Sequence, residues 1–113
     1  MISIVTTILQ SMGVTNIERA MDGNKALEMF QEDANFVHFV VCEWTLPGMS
    51  GLQLLKKIRE INPAMPVLML SGDSSIDNVK AAMAAGVSQY LMKPFTSGDM
   101  QKRVRAMTKN LAV

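Results

Sequence analysis

The stretch Phe36-Val37-His38-Phe39-Val40-Val41-Cys42, running into Glu43-Trp44-Thr45-Leu46-Pro47-Gly48-Met49-Ser50-Gly51-Leu52, decides the fold. Its first seven positions are apolar almost throughout instead of alternating, which is the pattern of a strand covered on both faces, as in a parallel sheet. Ser50-Gly51-Leu52-Gln53 then has the S-x-x-Q form of a capping box, and Leu54, Leu55 and Ile58 supply an apolar stripe. Lys56, Lys57 and Arg59 are read as facing solvent, and Asn62-Pro63 ends the helix.

The same alternation continues outward in both directions. Towards the C-terminus, Pro66 to Leu70 reads as a short buried strand, and a helix starts at Ser74-Ser75-Ile76-Asp77 and runs to Gly86. Val87 to Met92 is a further strand, Lys93-Pro94-Phe95 a turn, and Thr96 to about Asn110 a closing helix with Met100, Val104 and Met107 on one face. Towards the N-terminus, Ile2, Val5, Ile8, Leu9 and Met12 sit at helical spacing with Gly13 as a stop, predicting a helix over 2–12. An extended segment, Asn16 to Met21, precedes a second amphipathic helix over 23–32 carrying Ala26, Leu27 and Phe30. The expected order is αβαβαβαβα, an α/β chain with a parallel sheet between helical layers, because parallel strands need crossover helices.

Composition narrows what such a chain can do. With 113 residues, 49% of them hydrophobic, one core is expected and a single domain spans 1–113. Eleven Lys and Arg against ten Asp and Glu leave a charge of +1, too little for a field that attracts duplex nucleic acid, so nucleic-acid binding is the weakest reading. One cysteine, Cys42, excludes a disulfide framework, and Cys42 reads as an inert buried thiol. The single His38 excludes a multi-histidine metal centre and reads as a hydrogen-bonded structural residue in its strand. No apolar run approaches the roughly 18 residues of a membrane span, so no membrane association is expected and the chain is placed in the cytoplasm. The eleven methionines are read as core filler.

In open parallel sheets, functional residues gather at the carboxyl ends of the strands. Here those ends carry Glu43, Ser71 and Lys93, a carboxylate, a hydroxyl and an ammonium, each directly after a buried strand. The words around them are Glu43 to Leu52, Val67-Leu68-Met69-Leu70-Ser71-Gly72, and Gly86-Val87-Ser88-Gln89-Tyr90-Leu91-Met92-Lys93-Pro94-Phe95, preceded by Met21-Asp22-Gly23 and Ala26-Leu27. Together they resemble the receiver domain of two-component response regulators, specifically the single-domain, CheY-like chemotaxis type, from about residue 2 to residue 111.

The resemblance implies a three-layer αβα sandwich of flavodoxin-like, CheY-like topology, and a signalling domain in place of an enzyme. In that family an aspartate after the third strand accepts a phosphoryl group, a Ser or Thr and a Lys contact it, and an aromatic on the last strand reports the switch. Ser71, Lys93 and Tyr90 match those roles. A cis Lys93–Pro94 peptide is implied as well. The acceptor position is Glu43, with Trp44 and Thr45 in the site loop.

Two departures follow from the same comparison. The carboxylate of Glu43 lies one methylene further out than an aspartate's, within reach of Lys93. It reads either as a built-in mimic of the phosphorylated state or as the remnant of a decayed site, an exposed pair being worth at most about 1 kcal/mol. The chain also opens inside the helix that follows the family's first strand, so the parallel sheet is expected to lack its first, central strand and the acid pair that holds magnesium. No cofactor is therefore expected, and Mg²⁺ binding is expected to be weak or lost.

These features predict a degenerate stand-alone receiver that acts by binding another signalling protein without phosphotransfer. The alternative is a phosphorylatable receiver whose missing strand and acids come from a second chain or an upstream start. Unpaired strand edges invite another chain, which predicts a homodimer. Charge is also uneven: residues 1–50 carry a net −4 and residues 51–113 a net +5, with Lys102, Arg103, Arg105 and Lys109 on the last helix. A docking face on the last two helices and the strand at 87–92 is one reading of that asymmetry, an ordinary solvated surface the other.

Overall fold

The structure is a computed structural model that describes residues 2–33, 35–72 and 75–109. Its elements run α1 (Ile2–Ser11), α2 (Gly23–Asp33), β1 (Val40–Glu43), α3 (Gly51–Ile61), β2 (Val67–Ser71), α4 (Ile76–Ala84), β3 (Gln89–Met92) and α5 (Ser97–Thr108). The strands form a parallel sheet in the order β1-β2-β3, with Val40 opposite Val67 and Leu68 opposite Gln89.

Every residue of β2 is buried, and its side chains divide by parity as a strand requires. Val67 and Met69 enter one cluster with Phe30 of α2, Leu54, Leu55 and Ile58 of α3, and Ala82 of α4. Leu68 and Leu70 enter a second cluster with Ile8 and Leu9 of α1, Leu91 of β3, and Met100 and Val104 of α5. Helices therefore cover both faces, giving the αβα sandwich that the apolar runs imply. Among the described residues no helix is long and apolar enough to cross a membrane.

Caps stand where the side chains can make them. Ser50 Oγ accepts from the Gln53 N–H at 3.2 Å while Gln53 Oε1 accepts from the Ser50 N–H at 3.1 Å, so the predicted capping box on α3 is present. Thr96 and Asp99 form a second box on α5, and Ser75 caps α4. Ser74 and Asn110, placed at helix ends from the sequence, lie outside the described residues.

Several expectations need correction. Residues 16–21 form no strand: the segment 14–20 is irregular, although Val14 and Ile17 pack against the cluster between the sheet and α1. A strand exists through its ladder partners, and no described strand lies beside this segment to supply them. The observed order is therefore ααβαβαβα.

The strand expected over 36–42 is confined to Val40–Glu43. Its register places 36–39 opposite 63–66, where Pro63 and Pro66 have no N–H to donate. Phe36 is accordingly 80% exposed. His38, expected within the strand, lies in this irregular part and is exposed.

Arg59 does not point freely into solvent. Its Nε donates to the Gly86 carbonyl at 2.8 Å, Nη1 to the Asn62 carbonyl at 3.3 Å and Nη2 to Ser88 Oγ at 3.3 Å. It thus ties the end of α3 to the turns before β2 and β3. The methionines divide between roles: Met65, Met69 and Met100 are core, whereas Met21, Met83 and Met92 are exposed.

Candidate functional site

Parallel pairing brings the three strand ends to one edge. Glu43, last in β1, stands opposite Leu70, and Ser71, last in β2, stands opposite Met92. The ladder continues one step beyond the strands: the Trp44 N–H donates to the Leu70 carbonyl and the Lys93 N–H to the Ser71 carbonyl, both at 2.8 Å. Backbone pairing alone therefore holds residues 43, 71 and 93 side by side.

The side chains of Glu43 and Lys93 meet. Lys93 Nζ donates to Glu43 Oε1 at 3.0 Å, and each side chain is 28% exposed. This half-buried ion pair spans the sheet end from one edge strand to the other. Ser71 is buried at the end of the middle strand. The Lys93–Pro94 peptide is cis.

The other singled-out residues lie around this pair. Thr45 is exposed, and Trp44 is half-buried against the cluster between the sheet and α3. Tyr90 packs against that same cluster, and its hydroxyl is buried without a hydrogen-bond partner among the described residues. A phenol usually finds a partner when buried, since an unmet hydroxyl costs about 1–3 kcal/mol. Cys42 is buried beside Met69, its Sγ 3.7 Å from the Met69 Sδ. Burial, and then the neighbouring charge of Glu43, push its thiol up to about 12. It is protonated and unreactive at neutral pH, as the apolar strand around it implies.

The donors at this edge do not fit magnesium. The ion favours octahedral oxygen ligands and is usually held by one or two carboxylates. Among the described residues the only carboxylate at these strand ends is Glu43, and it already contacts an ammonium at 3.0 Å.

Two residues of the site were missed in the sequence. Gly51, the first residue of α3, packs its α-carbon against the backbone of Glu43, where a Cβ would overlap the Glu43 carbonyl oxygen. Gly23, the first residue of α2, packs likewise against Met49, where a Cβ would overlap the carbonyl oxygen. For Gly51 the visible signal was a glycine directly after the capping Ser50, a position where other residues serve the helix better.

Comparison with known proteins agrees with this fold. Residues 1–105 match the family described as "Response regulator receiver domain". The chain is 36% identical over 110 residues to "Chemotaxis protein CheY-3" of Vibrio cholerae, covering 96% of this chain and 83% of that protein. It is 37% identical over 103 residues to "Chemotaxis protein CheY" of Pseudomonas aeruginosa, covering 89% and 82%. Among solved structures, a response regulator receiver domain protein from Clostridium thermocellum superposes with a TM-score of 0.86 at 27% identity, over 95% of this chain and 84% of that one. CheY in the CheX-CheY-BeF3-Mg complex from Borrelia burgdorferi gives 0.88 at 26% identity, over 93% and 78%. With its fold and its sequence in agreement, the chain belongs to the response regulator receiver domain family.

Proposed function

We propose that this chain is a degenerate receiver of two-component signalling, working by contact with another signalling protein and neither accepting a phosphoryl group nor acting as an enzyme. The observation that carries the reading is the Glu43–Lys93 ion pair at 3.0 Å. Phosphoryl transfer to a receiver needs a carboxylate free to attack and a cation-rich site free to receive the charge. Here the carboxylate at the acceptor position and the lysine at the phosphate-contact position neutralise each other. Treatment with a small phosphoryl donor and magnesium is expected to leave the chain unmodified, and a phosphorylated product would overturn the reading.

The surface that fits a protein partner lies on α4, β3 and α5. Ile76 and Met83 of α4 and Met92 of β3 are exposed apolar side chains, and Lys102, Arg103 and Arg105 of α5 are exposed beside Asp99. Exposed apolar side chains flanked by charges of both signs suit a protein surface better than nucleic acid, given a net charge of only +1. The Borrelia neighbour is itself part of a protein complex, with CheX.

The unpaired outer edge of β1 supports a second element, self-association. In the β1-β2-β3 order that edge has no described neighbour, and Val40 and Val41 are only half-buried. Edges of this kind pair with another strand or are covered. A homodimer is therefore proposed, and light scattering at tens of micromolar is expected to give twice the chain mass. The mass of one chain would remove this element and leave the rest standing.

A further inference from the structure

We infer that Gly51 and Gly23 are positioning residues, which clamp the loop 44–50 at both ends and thereby hold Glu43 in register with Lys93. The inference rests on the Glu43–Lys93 reading above. The Gly51 N–H donates to the Trp44 carbonyl at 2.8 Å, so the first turn of α3 sits directly on the end of β1. A Cβ on Gly51 would overlap the Glu43 carbonyl oxygen and approach Trp44 Cα at 3.0 Å. Both are backbone atoms of the strand end, and no side chain can swing away to make room.

The far end of the loop repeats the arrangement. The Gly23 N–H donates to the Pro47 carbonyl at 3.0 Å, and a Cβ there would overlap the Met49 carbonyl oxygen and lie 2.7 Å from Met49 Cβ. Two helix N-termini, from α2 and α3, are thus seated on one short loop through glycines. A side chain at Gly51 would push α3 and the strand end apart by about 1 Å before ordinary contact is restored. Sites of this kind tolerate displacements of only about 0.5 Å.

The sign separates this role from simple helix formation. Alanine is a better helix former than glycine, so on propensity alone Gly51→Ala would strengthen α3. Displacement of Glu43 works the other way, and it acts on Lys93.

The experiment is residue-resolved acylation of lysines with an amine-reactive ester, read by peptide mass spectrometry, using exposed Lys56 and Lys80 as internal references. Glu43→Gln, Gly51→Ala, Gly23→Ala and Arg59→Ala are compared with the unsubstituted chain. Removing Glu43's charge is expected to speed labelling of Lys93 by about two- to fivefold, the range an ion pair of ordinary strength allows. Gly51→Ala is expected to give a rise of the same order. Arg59→Ala, which loosens the opposite end of the sheet, is expected to leave Lys93 unchanged.

A Lys93 rate that stays put in Gly51→Ala while rising in Glu43→Gln overturns the clamp and leaves the ion pair intact. An equal rise in Arg59→Ala also overturns it, since general loosening then suffices. No rise in Glu43→Gln removes the ion pair and the functional reading with it. Should Gly51→Ala fail to fold, Gly23→Ala carries the test with the same two outcomes.

Discussion

Leu55→Ala is expected to lower the free energy of unfolding by about 3 kcal/mol, with the denaturant midpoint falling and the slope unchanged. Leu55 is 0% exposed, on the face of α3 that meets Phe30, Cys42 and Met69. Removing its isobutyl group loses the transfer free energy of those atoms and leaves a cavity that the surrounding close-packed side chains only partly fill. The next residue is the control. Lys56 is exposed, so Lys56→Ala is expected to stay within about 0.5 kcal/mol. Equal losses for the two variants in urea melts would mean that α3 does not bury the face seen in the structure.

The second large effect depends on pH. Burial and the adjacent Glu43 charge raise the Cys42 thiol from 9.0 to about 12. Below pH 9 the thiol is protonated in the folded and unfolded chains alike, and its contribution is fully present. Between pH 9 and about 12 the unfolded chain gives up the proton and the folded chain keeps it. Stability is therefore lost as pH rises, by about 1.4 kcal/mol per unit and about 4 kcal/mol across the window.

The effect is read as the difference between the unsubstituted chain and Cys42→Ala. Their stabilities are expected to converge steadily above pH 9. Parallel curves would show that Cys42 is not held in an apolar site.

Much of the fold and site was legible in the residues because the signals were local. The S-x-x-Q at Ser50 needs only four residues to make its cap, and the cap is present. The unbroken apolar run of β2 demanded cover on both faces, and it has it. Glu43, Ser71 and Lys93 fall at one sheet edge because parallel strands deliver their carboxyl ends to the same side.

Failures of the reading came from partners distant in sequence. Residues 16–21 have strand-like composition, but a strand needs a neighbour and composition does not supply one. The apolar run at 36–39 lies opposite Pro63 and Pro66, which was visible only once the register was known. Arg59 resembled its solvated neighbours Lys56 and Lys57, yet its acceptors are Asn62, Gly86 and Ser88, two of them far along the chain. Gly51 and Gly23 stood in plain view, but the absence of a side chain says nothing until the backbone that approaches it is placed.

The loop between β1 and α3 is where these observations meet. It begins at the carboxylate that meets Lys93, and it ends at the glycine that packs back onto that carboxylate's own backbone. The core beneath it contains Cys42, whose thiol is influenced by the same Glu43 charge. The loop thus lies between the Glu43–Lys93 ion pair at one end and the Gly51 contact with the Glu43 backbone at the other.

The measurement that bears most directly on the central claim is the intact mass of the chain after incubation with acetyl phosphate and magnesium. The account predicts a single species of unchanged mass, because the Glu43 carboxylate is engaged by Lys93 and its surroundings do not suit magnesium. A species heavier by one phosphoryl group, mapped to Glu43, would contradict it.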